Sequence, residues 1–107
     1  MEELVKKIDN FNKGRNWDQF HSAENLVKSI SIEAGELLEC FQWNYDYDLN
    51  EVKDELADVI NYCIQLAIKL EVDPKEIVIE KMKKTAKKYP IEKAYGKSTK
   101  YTKLGDK

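Results

Sequence analysis

Two acidic pairs, Glu33 with Glu36 and Glu55 with Asp58, carry the chemistry that this sequence makes available. Each pair has the spacing i, i+3 and sits inside an apolar-periodic segment. Three residues is close to one helical turn, so each pair projects its carboxylates to one side of its helix. Four carboxylates converging between two packed helices are costly unless a cation neutralises them. Ligands that are all oxygen point to a hard divalent ion, Mg²⁺ first.

Helical periodicity places the pairs in matching positions. In the first segment, Leu26, Val27, Ile30, Ala34, Leu37, Leu38 and Phe41 form one apolar arc, with Glu33 roughly 75° and Glu36 roughly 135° from its centre. In the second, Val52, Leu56, Val59, Cys63, Leu66 and Leu70 form the arc, with Glu55 roughly 80° and Asp58 roughly 140° away on the same rotational side. Solvated acids on a helix flank are common. Two pairs with the same spacing and offset are a more specific pattern.

The elements that must position these acids follow from the rest of the chain. It has 107 residues, 36% of them charged and 42% hydrophobic, with a formal net charge of −2. One domain over 1–107 is expected. Four Gly and two Pro favour helices over many short strands with tight turns. The charge makes no case for nucleic-acid binding, and no apolar run has membrane-spanning length. The five Lys of residues 91–107 are too few in an acidic protein to change that. The start, Met1-Glu-Glu-Leu, does not read as a signal peptide. Cys40 and Cys63 lack C-x-x-C spacing and read as reduced core or near-core residues of a cytoplasmic protein.

The predicted elements are helices at about 2–13, 23–42, 50–70 and 74–88, with a basic irregular tail over 91–107. Gly14 ends the first helix, Ser22 caps the second, and Asp48 or Asn50 caps the third. Asp73-Pro74 starts the fourth, and Tyr89-Pro90 stops it. The fold class is all-α, a four-helix-bundle-like arrangement whose two long helices pair antiparallel. Ile60, Ile64 and Ile68 fall outside the main stripe of the third helix, and this spare apolar surface argues for self-association.

A carboxylate-held Mg²⁺ without a full protein cage commonly meets phosphate oxygens. Lys81, Lys84 and Lys88 repeat along one side of the fourth helix and suit phosphates, or simply a solvated face. Trp17 and Trp43 lie in the connections at either end of the second helix. Aromatic faces there suit stacking on a nucleobase or hydrophobic edge packing. His21 suits a base contact or a helix cap.

Together these residues resemble the MazG-type all-α nucleoside triphosphate pyrophosphohydrolases, and among them the dCTP pyrophosphatase-like branch. The resemblance is carried by Asn16-Trp-Asp-Gln-Phe-His21, Glu33-x-x-Glu36 running to Trp43, Glu55-x-x-Asp58 running to Tyr62, Lys81-Met82, Lys88-Tyr-Pro90 and Ser98-x-Lys-Tyr-Thr102. It implies hydrolysis of a (deoxy)nucleoside triphosphate, dCTP or a modified deoxynucleotide among the candidates, to the monophosphate and pyrophosphate with Mg²⁺. It implies that Glu33, Glu36, Glu55 and Asp58 hold the metal, and that Glu36, with Glu33, works on the attacking water. Trp17 and Trp43 would line the base pocket, with Tyr62 beside the acidic cluster, and Lys81, Lys88, Lys100 and Tyr101 would serve the triphosphate; His21 and Thr85 are further candidates for substrate contact. It also implies a homo-oligomer, a dimer or tetramer. Two positions depart from the family pattern. Thr85 stands where Asn is frequent, and Ile8 stands where vertebrate-type members carry a base-contacting His. An Ile makes no hydrogen bond, so base choice is open. The competing class is a non-catalytic helical oligomer acting as a regulatory interaction module. A ferritin-like di-iron bundle fits poorly, because neither acidic pair contains a His.

Overall fold

Ser22 and Asp48 decide where the two central helices begin. In the computed structural model, which describes residues 1–43 and 46–97, the Ser22 hydroxyl accepts a hydrogen bond from the Asn25 amide at 3.1 Å. It caps α2, Ala23–Glu39. The Asp48 carboxylate accepts from the Asn50 amide at 2.9 Å and caps α3, Leu49–Lys69. Each side chain satisfies one of the amides that a helix start leaves orphaned. Ser22→Ala is therefore expected to cost about 1 kcal/mol of stability, read as a lower urea midpoint at unchanged slope.

The remaining elements are α1, Glu2–Gly14, a 3₁₀ turn at Asp18–Phe20, α4, Pro74–Lys88, and the short α5, Ile91–Ala94. No strand occurs among the described residues, so the all-α expectation holds. The chain divides into two compact units, Met1–Asp73 and Pro74–Lys107.

In the first unit, α3 packs against both α2 and α1. Only the bonds of the turn extend past Glu39: Cys40, Phe41 and Gln42 donate to the carbonyls three residues back. Such i→i−3 bonds tighten and end a helix, so α2 stops three residues short of the expected 42. α1 ends at Gly14, as expected. The left-handed residue is Asn16, at φ 53°. Its amide donates to Lys13 O at 3.0 Å, and that of Trp17 to Asn12 O at 2.9 Å. This is a Schellman closure with Asn in the place Gly commonly takes. Glu71, at φ 57°, closes α3 likewise, with Val72 N donating to Ala67 O at 3.0 Å.

The apolar stripe of α3 is not the one expected. Ile64 and Ala67 are the buried positions, 3% and 4% exposed, whereas Leu56, Leu70 and Cys63 are exposed. The reason is geometric. A single arc describes a helix with one neighbour, but α3 has two, and α1 covers a face that the arc assigned to spare surface. Leu26 of α2 and Ile8 of α1 complete this buried set, with Asn12 the one buried polar residue among the described residues. Cys63 is thus a surface thiol rather than a core residue. Cys40 is half-buried, its thiol donating to Glu36 O at 3.7 Å.

In the second unit, α4 begins at Pro74 and ends before Tyr89-Pro90 as read from the sequence. Residues 91–94, expected to be irregular, form α5 after Pro90 as its N-cap. No helix among the described residues is long and apolar enough to cross a membrane.

Candidate active site

Glu33 and Glu36 lie near the end of α2, Glu55 and Asp58 near the start of α3. The connection between the helices is short, so a helix hairpin returns α3 along α2 and brings the pairs together. Ligand oxygens of Glu33, Glu55 and Asp58 all lie within 4.8 Å of one another. Glu33 and Glu55 are half-buried, Asp58 is exposed, and each glutamate holds one oxygen, Oε2, buried with no hydrogen-bond partner. Glu36 stands beside them. A proton shared with Glu36, then burial, then the charges of Glu36, Asp58 and Glu55 push the Glu33 carboxyl up to about 7. Burial first, and then Glu36, raise Glu55 as well.

Like charges forced together in this way are stabilised by a cation between them. Orphaned buried carboxylate oxygens within one ion's reach are the donor set a hard divalent metal takes. The residues fit such an ion. Burial and the charges of Glu51 and Glu55 raise the Cys40 thiol, which keeps it protonated and out of the ligand set.

Asp58 also borders a cleft of about 300 Å³, a size within the range of small-molecule sites. Its walls come from α1 (Lys7, Ile8, Phe11, Asn12), from the connection (Trp17, His21) and from α3 (Asn61, Tyr62, Gln65). The Schellman turn at Asn16 folds Trp17 back onto α1, where its ring meets Phe11 edge-on at 5.7 Å. The Arg15 guanidinium lies 3.6 Å over the Phe11 ring and donates to Phe11 O at 3.2 Å. Gln19 Nε2 to Asn16 O at 2.9 Å and Asn25 Nδ2 to Phe20 O at 3.2 Å fix the rest of the connection. This segment is therefore a built wall of the cleft.

The structure thus brings Trp17, His21 and Tyr62 together beside Asp58. Trp43 stands 82% exposed past the end of α2, outside the walls of this cleft. Lys81, Thr85 and Lys88 belong to α4. There the Thr85 hydroxyl donates to Lys81 O at 3.0 Å, and both residues border an apolar groove with Ile77, Val78, Met82 and Tyr89. Lys100 and Tyr101 lie outside the described residues. Sequence reading missed Lys7, Phe11, Asn12, Asn61 and Gln65 as cleft walls. One signal was available: Asn61 and Gln65, four apart, interrupt an otherwise apolar run.

An all-α hairpin that holds a cation-ready acidic centre beside an aromatic cleft defines the class of protein. The chain belongs to the MazG-like family, which matches residues 28–104. It is 33% identical over 114 residues to dCTP pyrophosphatase 1 of Mus musculus, spanning 97% of this chain and 67% of that protein. The Homo sapiens protein of the same name is also 33% identical, with the same coverage. Among solved structures, a pyrophosphatase from Archaeoglobus fulgidus superposes with a TM-score of 0.77 at 41% identity. That match covers 84% of this chain and 92% of the other.

Proposed function

We propose that this protein is a Mg²⁺-dependent pyrophosphohydrolase that cleaves a (deoxy)nucleoside triphosphate to the monophosphate and pyrophosphate. The observation that carries the reading is the position of Asp58, which both borders the aromatic cleft and belongs to the carboxylate cluster. A nucleotide with its base in the cleft presents its first phosphate, the α-phosphate, to the acids. The bond in reach is then the α–β anhydride rather than the terminal one. Names of the relatives, dCTP pyrophosphatase and pyrophosphatase, agree with that cut.

Glu33, Glu36, Glu55 and Asp58 would hold the ion. When bound, Mg²⁺ supplies charge neutralisation at the phosphates and a lowered pKa for water. The chain does the rest. Trp17, Phe11 and Tyr62 hold the base and so fix the distance from the base to the α-phosphorus. Glu36, whose carboxylate raises both Glu33 and Glu55, orients the attacking water and takes its proton. The water oxygen bonds to the α-phosphorus as the bond to the bridging oxygen breaks. The electron pair leaves with pyrophosphate. Lys81, Lys88, Lys100 and Tyr101 are assigned to the triphosphate, with Trp43 and His21 to the base side, on the family resemblance alone.

The exposed apolar side chains of α2 and α3, Leu38 at 71% among them, favour a homo-oligomer, a dimer or tetramer. Free Cys40 and Cys63 suit a reducing cytoplasm. The test is pyrophosphate release from a panel of nucleoside triphosphates, with Mg²⁺ or with EDTA, on the wild type and on Glu36→Gln. Metal-dependent release lost in the variant supports the reading. Silence across the panel from a folded protein would overturn it.

A further inference from the structure

The cleft that would hold the base carries an amide pair that the reaction does not use. Asn61 and Gln65 follow Asp58 down one face of α3, all three bordering the cleft. At 1.5 Å per residue, Gln65 lies about 10 Å along the helix from Asp58. That is the reach from an α-phosphate to the far edge of a nucleobase. Gln65 Nε2 donates to Asn61 Oδ1 at 2.7 Å. Gln65 Oε1 is buried and has no donor. With Gln65 Nε2 and Asn61 Oδ1 turned toward each other in that bond, Gln65 Oε1 and Asn61 Nδ2 are the acceptor atom and the donor atom that it leaves wholly unused. The terminal torsion of a Gln side chain is broad, so a modest turn of the amide brings Oε1 to a bound base.

We propose that Asn61 and Gln65 read the base edge and select nucleobases whose pairing edge sets an exocyclic amine (N4 or N6) beside an unprotonated ring nitrogen, cytosine and adenine, over thymine, uracil and guanine. The assignment rests on the pyrophosphohydrolase reading above for what occupies the cleft. Cytosine presents its N4 amine beside the N3 acceptor, and adenine its N6 amine beside N1. Gln65 Oε1 accepts from the amine, and Asn61 Nδ2 donates to the ring nitrogen. Thymine, uracil and guanine present a carbonyl oxygen beside a ring N–H. The first places an acceptor against Gln65 Oε1, and the second a donor against Asn61 Nδ2. A buried polar group left unpaired in that way is what gives hydrogen-bonding sites their discrimination. Ile8 and Phe11, on the α1 wall, offer no side-chain hydrogen bond, and Lys7 offers donors only. Asn12, His21 and Tyr62 also border the cleft, but only the Asn61–Gln65 pair joins a place on the α3 face that follows Asp58 to a buried acceptor without a partner.

The test is a tryptophan-fluorescence titration of the full chain with dCMP, dAMP, dTMP and dGMP, which needs no turnover. The wild type is expected to bind dCMP and dAMP about tenfold more tightly than dTMP and dGMP. Gln65→Leu, a substitution of similar size on a half-buried position, is expected to bring all four within about threefold. Gln65→Glu keeps the acceptor, so it is expected to weaken every ligand while preserving the order. An unranked or reversed wild type would overturn the proposal, as would Gln65→Leu keeping the original order. Triphosphate turnover is measured separately. A folded wild type that ranks the monophosphates as stated but releases no pyrophosphate would sink the hydrolase reading and leave the amide reader standing.

Discussion

Asp58→Asn and Glu55→Gln are each expected to reduce kcat by at least about a hundredfold while raising the melting temperature of the metal-free protein. The two effects have one cause. Ligand oxygens of Glu33, Glu55 and Asp58 lie within 4.8 Å of one another, and Glu33 and Glu55 are both raised by their acidic neighbours. Without an ion, every ionised member of the cluster is repelled by the others. Removing one charge relieves that repulsion, so the fold gains. On the proposed function, the same removal takes away one of the carboxylates that would hold the ion, so catalysis loses. A protein in which the acids were ordinary surface groups would show neither change. One in which they were structural would lose stability. Thermal melts in EDTA alongside kcat for each variant separate the three cases.

The pH dependence of stability follows from Glu33. Its folded-state value of about 7 lies above its ordinary 4.5, so between these values the folded protein holds a proton that the unfolded chain has released. Stability therefore falls as pH rises through this window. The metal-free protein is expected to melt at a lower temperature at pH 8 than at pH 5. Mg²⁺ should act with the opposite sign, because it binds only the ionised carboxylates. Its stabilising shift is expected to be small at pH 5 and large at pH 8. A melting temperature that climbs with pH in EDTA, or a Mg²⁺ shift equal at both values, would contradict the arrangement.

The acidic centre was legible in the sequence because it depends on local geometry. Spacing of i, i+3 within two helices, plus the hairpin connection, is enough to bring Glu33, Glu55 and Asp58 to one place. The caps at Ser22 and Asp48 were legible for the same reason, since a cap bond spans only two or three residues. What the sequence hid depends on contacts between distant segments. Lys7, Phe11, Asn12, Asn61 and Gln65 become cleft walls only because α1 packs on α3. The core stripe of α3 was assigned to Leu56, Cys63 and Leu70 because a helical wheel assumes one neighbour. With two, Ile64 and Ala67 are buried instead. The end of α1 at Gly14 was legible, but the left-handed residue that closes it, Asn16, was not, because Asn takes that conformation less often than Gly.

Hydrolysis in ¹⁸O-labelled water, with the products resolved by mass spectrometry, tests the central claim most directly. The geometry, with Asp58 shared by the base cleft and the acidic centre, predicts attack at the α-phosphorus. The label should then appear in the nucleoside monophosphate, with unlabelled pyrophosphate beside it and no reaction in EDTA. Label in pyrophosphate, or release of orthophosphate with a nucleoside diphosphate, would place the attack elsewhere and contradict the account.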